Sequence, residues 1–229
     1  MLKIFILLIK TVSILSFLPI PFSNLGVNKL KVIQPVYNKF NNNAIIFFTG
    51  GNSFITPDIY GNFHKELSFK NISIYIPSFK YKDTKIIDIL KKKHKSITVI
   101  GHSSGASTAI NFCNNYSFIN KIIFLDPVDI LFTDKINISH INEVLIINAG
   151  KSYNITYNPF GLPFIPFFKL NTSKLYSKNN LKIYKIDKSE FGHSDILDIK
   201  FSNIMHNTRI SVGFPIRDKI ELYSYHKSI

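Results

Sequence analysis

The sequence predicts an α/β protein with a mostly parallel sheet and helices on both of its faces. Short apolar runs alternate with longer mixed segments after about Val27, which is the rhythm of repeated βαβ units. Most of these runs are continuously apolar, as expected for strands that are covered on both faces. With 229 residues and 45% hydrophobic content, the chain can build one sizeable core, so we expect a single domain over residues 27–229.

Six apolar runs are predicted to be strands. Four are almost entirely apolar and should lie inside the sheet: Ala44–Phe48, Ile97–Ile100, Lys121–Leu125 and Val144–Ile147. The runs Ile72–Ile76 and Leu181–Ile186 also read as strands, but they carry Ser73 and Lys182 with Lys185. We therefore expect one face of each of these two strands to be partly wet.

The segments between the strands predict helices over Asp58–Leu67, Asp83–Lys95 and Ser104–Asn114. The middle segment has the clearest amphipathic pattern, with an apolar face predicted toward the sheet from its aliphatic residues Ile86, Ile87, Ile89 and Leu90. Its aspartate and lysines should stay in water. Helices of this kind can connect successive parallel strands.

The N-terminus predicts a targeting or anchor segment over residues 1–26. A mainly apolar run from Ile4 to Ile20 follows Lys3 and is interrupted by Lys10, which is typical of a secretory signal. The apolar run is shorter than the roughly 20 residues that span a bilayer, so we favour a signal over an uncleaved anchor. The expected protein is secreted or membrane-associated.

The formal charge of +14 and the pI near 9.7 raise the question of an anionic partner. Most of the excess is lysine spread through the chain, and neither zinc-ligand spacing nor an aromatic-basic RNA motif accompanies it. We expect a solvated charged surface and no nucleic-acid partner. The single cysteine, Cys113, excludes an internal disulfide, and no pattern in the sequence implies a metal or a cofactor.

The strongest chemical signal is Gly101-His102-Ser103-Ser104-Gly105, which follows an apolar strand directly and precedes a helix-like run. This is a G-x-S-x-G nucleophile elbow in its required setting, where the serine lies in a strained strand-to-helix turn. The N-terminus of the helix would favour a tetrahedral oxyanion. We predict Ser103 as the nucleophile and the backbone N–H of Ser104 as an oxyanion donor, with an ordinary turn as the alternative.

A second oxyanion donor should come from the loop after an earlier strand. The run Ala44–Phe48 ends in Thr49-Gly50-Gly51-Asn52, and glycine there lets the backbone approach a substrate carbonyl closely. We predict Gly51 as this donor. The alternative is a simple loop.

Where a serine in such an elbow is the nucleophile, the catalytic residues occur along the chain in the order serine, acid, histidine. His193 follows the last predicted strand and is the predicted base, with a solvated surface histidine as the alternative. Asp126 closes the strand Lys121–Leu125, whereas the next strand runs into Asn148 without a carboxylate. We predict Asp126 as the acid that orients the imidazole, and Asp129 is the runner-up.

These segments together resemble the chlorophyllase and dienelactone-hydrolase-like branch of the α/β-hydrolases. The elbow resembles that branch's Gly-His-Ser-Arg-Gly, Leu125–Asp129 resembles its Leu-Asp-Pro-Val-Asp, and Phe191–Asp198 resembles its Tyr-Gly-His-x-Asp-x-Leu-Asp. The resemblance covers about residues 44–198. It implies the α/β-hydrolase fold, a triad of Ser103, Asp126 and His193, and hydrolysis of a bulky apolar ester.

Residues 159–168 are rich in proline and phenylalanine, which favours a wall or lid of an acyl pocket, with core packing as the alternative. We expect a serine carboxylic-ester hydrolase that works through an acyl-enzyme on a small apolar ester or lipid. Two other hypotheses are a membrane-surface lipase and a ligand-binding module whose triad is slow or vestigial.

Overall fold

The computed structural model describes residues 30–36, 42–50, 56–78, 85–129, 136–138, 140–150, 168–169, 175–176, 181–202, 224 and 226–229. The predicted N-terminal segment 1–26, the predicted oxyanion donor Gly51 and residues 159–167 lie outside this part of the chain. In the part that the structure describes, no helix is long and apolar enough to cross a membrane.

The described elements alternate between strands and helices. The strands are β1 (Leu30–Ile33), β2 (Asn43–Phe48), β3 (Ser73–Pro77), β4 (Ser96–His102), β5 (Lys121–Leu125), β6 (Val128–Asp129), β7 (Ile136–Asn137), β8 (Glu143–Ala149), β9 (Phe168–Lys169), β10 (Leu175–Tyr176) and β11 (Lys182–Lys188). The α-helices are α1 (Gly61–Phe69), α2 (Lys85–Lys93) and α3 (Gly105–Asn115), and 3-10 turns span Pro57–Tyr60 and His193–Ile196.

Among the strands that the structure describes, seven form one sheet in the order β1-β3-β2-β4-β5-β8-β11. β1 runs antiparallel to β3, and every other neighbouring pair in this sheet is parallel. The short strands form two separate pairs, β6 with β9 and β7 with β10. The predicted α/β class with a mostly parallel sheet is confirmed.

The residues of β2 show how both faces of the sheet are filled. Ile46 and Phe48 belong to a buried cluster that includes residues of α2 and α3. Ile45 and Phe47 point to the other face, where the buried cluster includes residues of α1. Phe47 is 0% exposed, and burial of such a side chain contributes about 1.5–3 kcal/mol.

The exposure of three elements differs from the sequence-based expectation. β3 is buried along its whole length, including Ser73, because both of its faces are covered: Tyr75 packs into one buried cluster, and Ile74 and Ile76 pack into the other. β11 is exposed along almost its whole length, and Tyr184 in it is 50% exposed. In α2, Ile87 and Leu90 are buried whereas Ile89 is 56% exposed, so the apolar face is narrower than predicted.

The parallel strands end together at one edge of the sheet. The register pairs His102 at the end of β4 with Leu125 at the end of β5, and Leu125 with Ile147 in β8. The last residue of β11, Lys188, lies beside the last residue of β8. The loops after β4, β5 and β11 therefore meet, and these loops carry the predicted nucleophile, acid and base.

Candidate active site

Ser103 lies in the turn between β4 and α3. Its φ is 54°, in the left-handed region that residues other than glycine seldom adopt, at a cost of about 1–2 kcal/mol. Its N–H donates to the carbonyl of Leu125 at 3.0 Å, and its own carbonyl accepts from the N–H of Val128 at 3.2 Å. The loop after β5 therefore holds the strained turn through backbone hydrogen bonds.

Glycine on each side of the elbow permits a close approach of main chains. A Cβ on Gly101 would lie 2.7 Å from the Cα of Ala106. A Cβ on Gly105 would clash with the carbonyl oxygens of Thr49 and Phe48. The helix α3 thus begins in contact with the end of β2, which brings the loop after β2 next to the nucleophile.

Replacement of Gly105 by alanine should destabilise the protein by about 1–3 kcal/mol, because main-chain oxygens cannot rotate away from the new methyl group. Urea unfolding at neutral pH measures the change. Ser107→Ala, in the same helix but only partly buried, is the control and should stay within about 0.5 kcal/mol of the wild type. Equal stability of the two variants would show that the contact is not tight.

The three residues predicted to act together are joined by hydrogen bonds between their side chains. His193 Nε2 lies 2.8 Å from Ser103 Oγ, and His193 Nδ1 lies 2.6 Å from Asp126 Oδ2. A carboxylate can only accept, so Nδ1 carries the proton and Nε2 accepts from the serine hydroxyl. The imidazole is therefore in the tautomer that can take a proton from Ser103.

Asp126 is held in place from both its backbone and its side chain. Its φ is 42°, and its N–H donates to the carbonyl of Ile147 at 2.7 Å. Its Oδ1 accepts from the N–H of Ala149 at 3.0 Å, which leaves Oδ2 for the imidazole. The runner-up, Asp129, lies in β6, whereas the carboxylate in contact with His193 is that of Asp126.

His193 begins a 3-10 turn that a fully buried carboxylate closes. Asp195 is 0% exposed, and its Oδ2 accepts from the N–H of Gly192 at 2.8 Å. Its Oδ1 accepts from Ser202 Oγ at 3.1 Å. Asp195 therefore fixes the backbone that carries the imidazole.

Two further residues reach this site, and sequence reasoning did not find them. The ring of His102 packs against that of His193 at a centroid distance of 4.9 Å. Its Nε2 lies 3.2 Å from the carbonyl oxygen of His193, and its Nδ1 lies 2.8 Å from Tyr60 Oη. The position of His102 beside Ser103 was a signal, whereas nothing in the sequence around Tyr60 marks it.

Burial keeps both of these side chains neutral at neutral pH. Desolvation is the main cause, and the nearby His193 a second cause, of a pKa for His102 that is lowered to about 3. Desolvation also raises the pKa of the Tyr60 phenol above its ordinary value. Neither residue changes charge between pH 5 and 8.

No family model matches the sequence, and no curated protein is significantly similar to it. Solved structures do share its architecture. A protein of unknown function from Staphylococcus aureus subsp. aureus Mu50 aligns at a TM-score of 0.51 and 10% identity, over 87% of this chain and 91% of that one. A ferulic acid esterase from Streptomyces cinnamoneus aligns at a TM-score of 0.50 and 12% identity, over 82% and 65%.

The chain has the α/β-hydrolase fold. At these identities the likeness concerns the fold alone.

In the α/β-hydrolase fold, oxyanion donors come from the residue after the nucleophile and from a loop N–H near an earlier strand. Ser104 is 3% exposed at the N-terminus of α3, beside the nucleophile. In the loop after β2, the N–H of Gly50 donates to Tyr60 Oη at 2.9 Å, while Gly51 lies outside the described residues. Among the residues that the structure describes, no group of three or more His, Cys, Asp or Glu could hold a metal.

Proposed function

We propose that the protein is a serine carboxylic-ester hydrolase, with Ser103 as nucleophile, His193 as general base and Asp126 as the supporting acid. The observation that carries the proposal is the continuous hydrogen-bond chain between these side chains, with distances of 2.8 Å and 2.6 Å. The strained backbone at Ser103 and the chain order serine, aspartate, histidine support the same assignment.

In the proposed reaction, Ser103 Oγ attacks the ester carbonyl while His193 Nε2 takes its proton. The oxyanion accepts hydrogen bonds from the backbone N–H groups of Ser104 and Gly51. The imidazolium, stabilised by Asp126, then protonates the departing alcohol and leaves an acyl-enzyme. Water, deprotonated by His193, attacks the acyl group, and the acid is released with Ser103 restored.

The proposed substrate is a bulky apolar ester, as in chlorophyllases. The resemblance of three separated segments supports this choice, and the apolar residues 159–168 would supply a wall of the acyl pocket. The ferulic acid esterase with the same fold adds aromatic acyl esters to the compounds worth testing. A screen should therefore compare chlorophyll, feruloyl esters and short-chain nitrophenyl esters.

Labelling with a fluorophosphonate probe tests the proposal before any substrate is known. We expect one adduct, located at Ser103 by mass spectrometry, and its loss in Ser103→Ala. Ser107→Ala, which changes a serine of helix α3 outside the elbow, should label like the wild type. If the folded wild-type protein takes no label, the alternative of a ligand-binding module with a vestigial triad is favoured instead.

We also propose, as the alternative to a cleaved secretory signal, that the apolar segment 1–26 stays on the chain and binds it to membranes, aided by the net charge of +14. The full chain should then bind vesicles that contain anionic lipid, and the binding should weaken with salt. Hydrolysis that rises on aggregated substrate would favour a surface lipase, whereas activity confined to dissolved esters would favour a secreted esterase.

A further inference from the structure

We propose that Tyr60 and His102 are positioning residues that link the loop after β2 to the backbone of His193 through one buried chain of hydrogen bonds. The inference rests on the proposed function, since it assigns a role within the same site. Neither residue is a hydrogen-bond partner of the Ser103 hydroxyl or of the His193 imidazole nitrogens, which pair with each other and with Asp126. Tyr60 would act through the loop after β2, which it holds at Gly50, and His102 would act through the general base His193, which it holds at the backbone carbonyl.

The groups at the two ends of this hydrogen-bond chain determine which atom donates and which accepts in each bond. A backbone N–H can act only as a donor, so Gly50 donates to Tyr60 Oη at 2.9 Å. A carbonyl can act only as an acceptor, so that of His193 accepts from His102 Nε2 at 3.2 Å. His102 therefore carries its proton on Nε2, and its Nδ1 accepts from the Tyr60 hydroxyl at 2.8 Å. Each polar atom in the chain has a partner of the right kind.

Because the hydrogen-bond chain is buried, the loss of any one of its partners should be costly. Tyr60 is 0% exposed and His102 is 3% exposed, so water cannot easily replace a lost partner. Removal of the tyrosine hydroxyl would leave the N–H of Gly50 and Nδ1 of His102 without their bonds. Removal of the His102 imidazole would release the carbonyl of His193. Either change would loosen a group that must be placed within about an ångström for efficient catalysis.

The neutral state of His102 is also suited to its position. Its ring lies 4.9 Å from that of His193, with 30° between the ring planes. A positive charge this close would oppose the imidazolium that forms on His193 during the proposed reaction. A neutral ring that donates from Nε2 holds the backbone of His193 without that repulsion.

Three variants separate hydrogen bonding from packing. Tyr60→Phe keeps the ring and removes the hydroxyl, whereas His102→Phe replaces the imidazole with a somewhat larger apolar ring. Each variant loses the polar atoms and should lower kcat about 10–100-fold with KM nearly unchanged. His102→Gln restores an acceptor and a donor, because its amide oxygen can face Tyr60 and its NH2 group can face the carbonyl of His193. It should retain most of the activity. The losses in the Tyr60→Phe/His102→Phe double variant should be less than additive.

A second buried tyrosine–histidine pair provides a matched control. Tyr75 Oη lies 2.9 Å from His94 Nε2, and both residues are buried at a place that does not contact the triad. Tyr75→Phe therefore makes the same chemical change as Tyr60→Phe. We expect a comparable loss of thermal stability in both, but a fall in kcat only in Tyr60→Phe.

A measurement that needs no turnover keeps this inference separate from the proposed function. The proton on His193 Nδ1, bonded to Asp126, should give a far-downfield ¹H NMR signal that broadens in Tyr60→Phe and His102→Phe but persists in His102→Gln and Tyr75→Phe. Unchanged kcat and an unchanged signal in Tyr60→Phe and His102→Phe would overturn the positioning role. A signal that responds as expected in a protein without labelling or turnover would count against the hydrolase proposal alone.

Discussion

Changing Asp126 to asparagine should lower kcat by about four orders of magnitude while the protein still folds. The two carboxylate oxygens have different partners, since Oδ1 accepts from the N–H of Ala149 and Oδ2 faces His193 Nδ1. Because a backbone N–H can only donate, asparagine must leave its amide oxygen at Ala149 and turn its NH2 group toward the imidazole. Nδ1 then has to accept, so the proton moves to Nε2, which can no longer take the proton of Ser103.

Steady-state hydrolysis and the rate of fluorophosphonate labelling measure this effect, and urea unfolding checks the fold. Asp129→Asn is the matched control, because Asp129 is the other carboxylate of the same segment. We expect that variant to work like the wild type. Near-normal turnover in Asp126→Asn would remove Asp126 from the proposed triad, and a large loss in Asp129→Asn would transfer the role to Asp129.

The interior of the sheet was predictable because burial on both faces removes polar residues from a strand. The runs predicted at Ala44–Phe48 and Lys121–Leu125 correspond to β2 and β5 almost residue for residue. The edges were less predictable. β1, Leu30–Ile33, is short and contains a lysine, and it is recognisable as a strand only from its antiparallel pairing with β3.

In the candidate site, too, the parts formed by adjacent residues were predictable, and the contacts between residues far apart in the sequence were not. The elbow around Ser103 is a local pattern, in which adjacent residues satisfy the needs of one tight turn. The link from Tyr60 to His102 spans 42 positions, and the link from His102 to His193 spans 91. Such contacts depend on how the strand ends are brought together, so no spacing in the sequence reports them.

Lowering the pH from 8 to 5 should destabilise the protein by about 4 kcal/mol. Burial lowers the pKa of His64 and of His102 to about 3, whereas both would titrate near 6.5 in the unfolded chain. Between these values the unfolded state binds protons that the folded state does not, so stability falls as the pH falls. Each histidine contributes about 2 kcal/mol of this loss at pH 5.

Two other groups have shifted pKa values that affect the dependence of stability on pH. Desolvation lowers the pKa of His226, which adds to the loss of stability in acid. Desolvation raises the pKa of Asp198, which works in the opposite direction because the folded state then holds its proton more firmly. Urea unfolding at several pH values between 5 and 8 gives the net dependence, and equal unfolding free energies at both ends would contradict burial of neutral histidines.

Substitution of His64 tests most directly whether buried neutral histidines cause the loss of stability at low pH. Both of its ring nitrogens are buried without a hydrogen-bond partner, and its ring packs against the rings of Phe47, Tyr60 and Phe63. Desolvation is the largest cause of its low pKa. His64→Phe removes two unsatisfied polar atoms and one titrating group, so it should raise stability at pH 8 by about 1–3 kcal/mol.

The same variant should also lose about 2 kcal/mol less than the wild type between pH 8 and pH 5. His226→Gln is the companion variant, because glutamine can keep the donation that His226 Nε2 makes to the carbonyl of Asp195 at 2.8 Å while it removes the titration. His226→Gln should reduce the dependence of stability on pH. It should not raise stability at pH 8, because it keeps the hydrogen bond to Asp195. If His64→Phe remained as sensitive to acid as the wild type, the protonation of His64 would not be what limits stability at low pH.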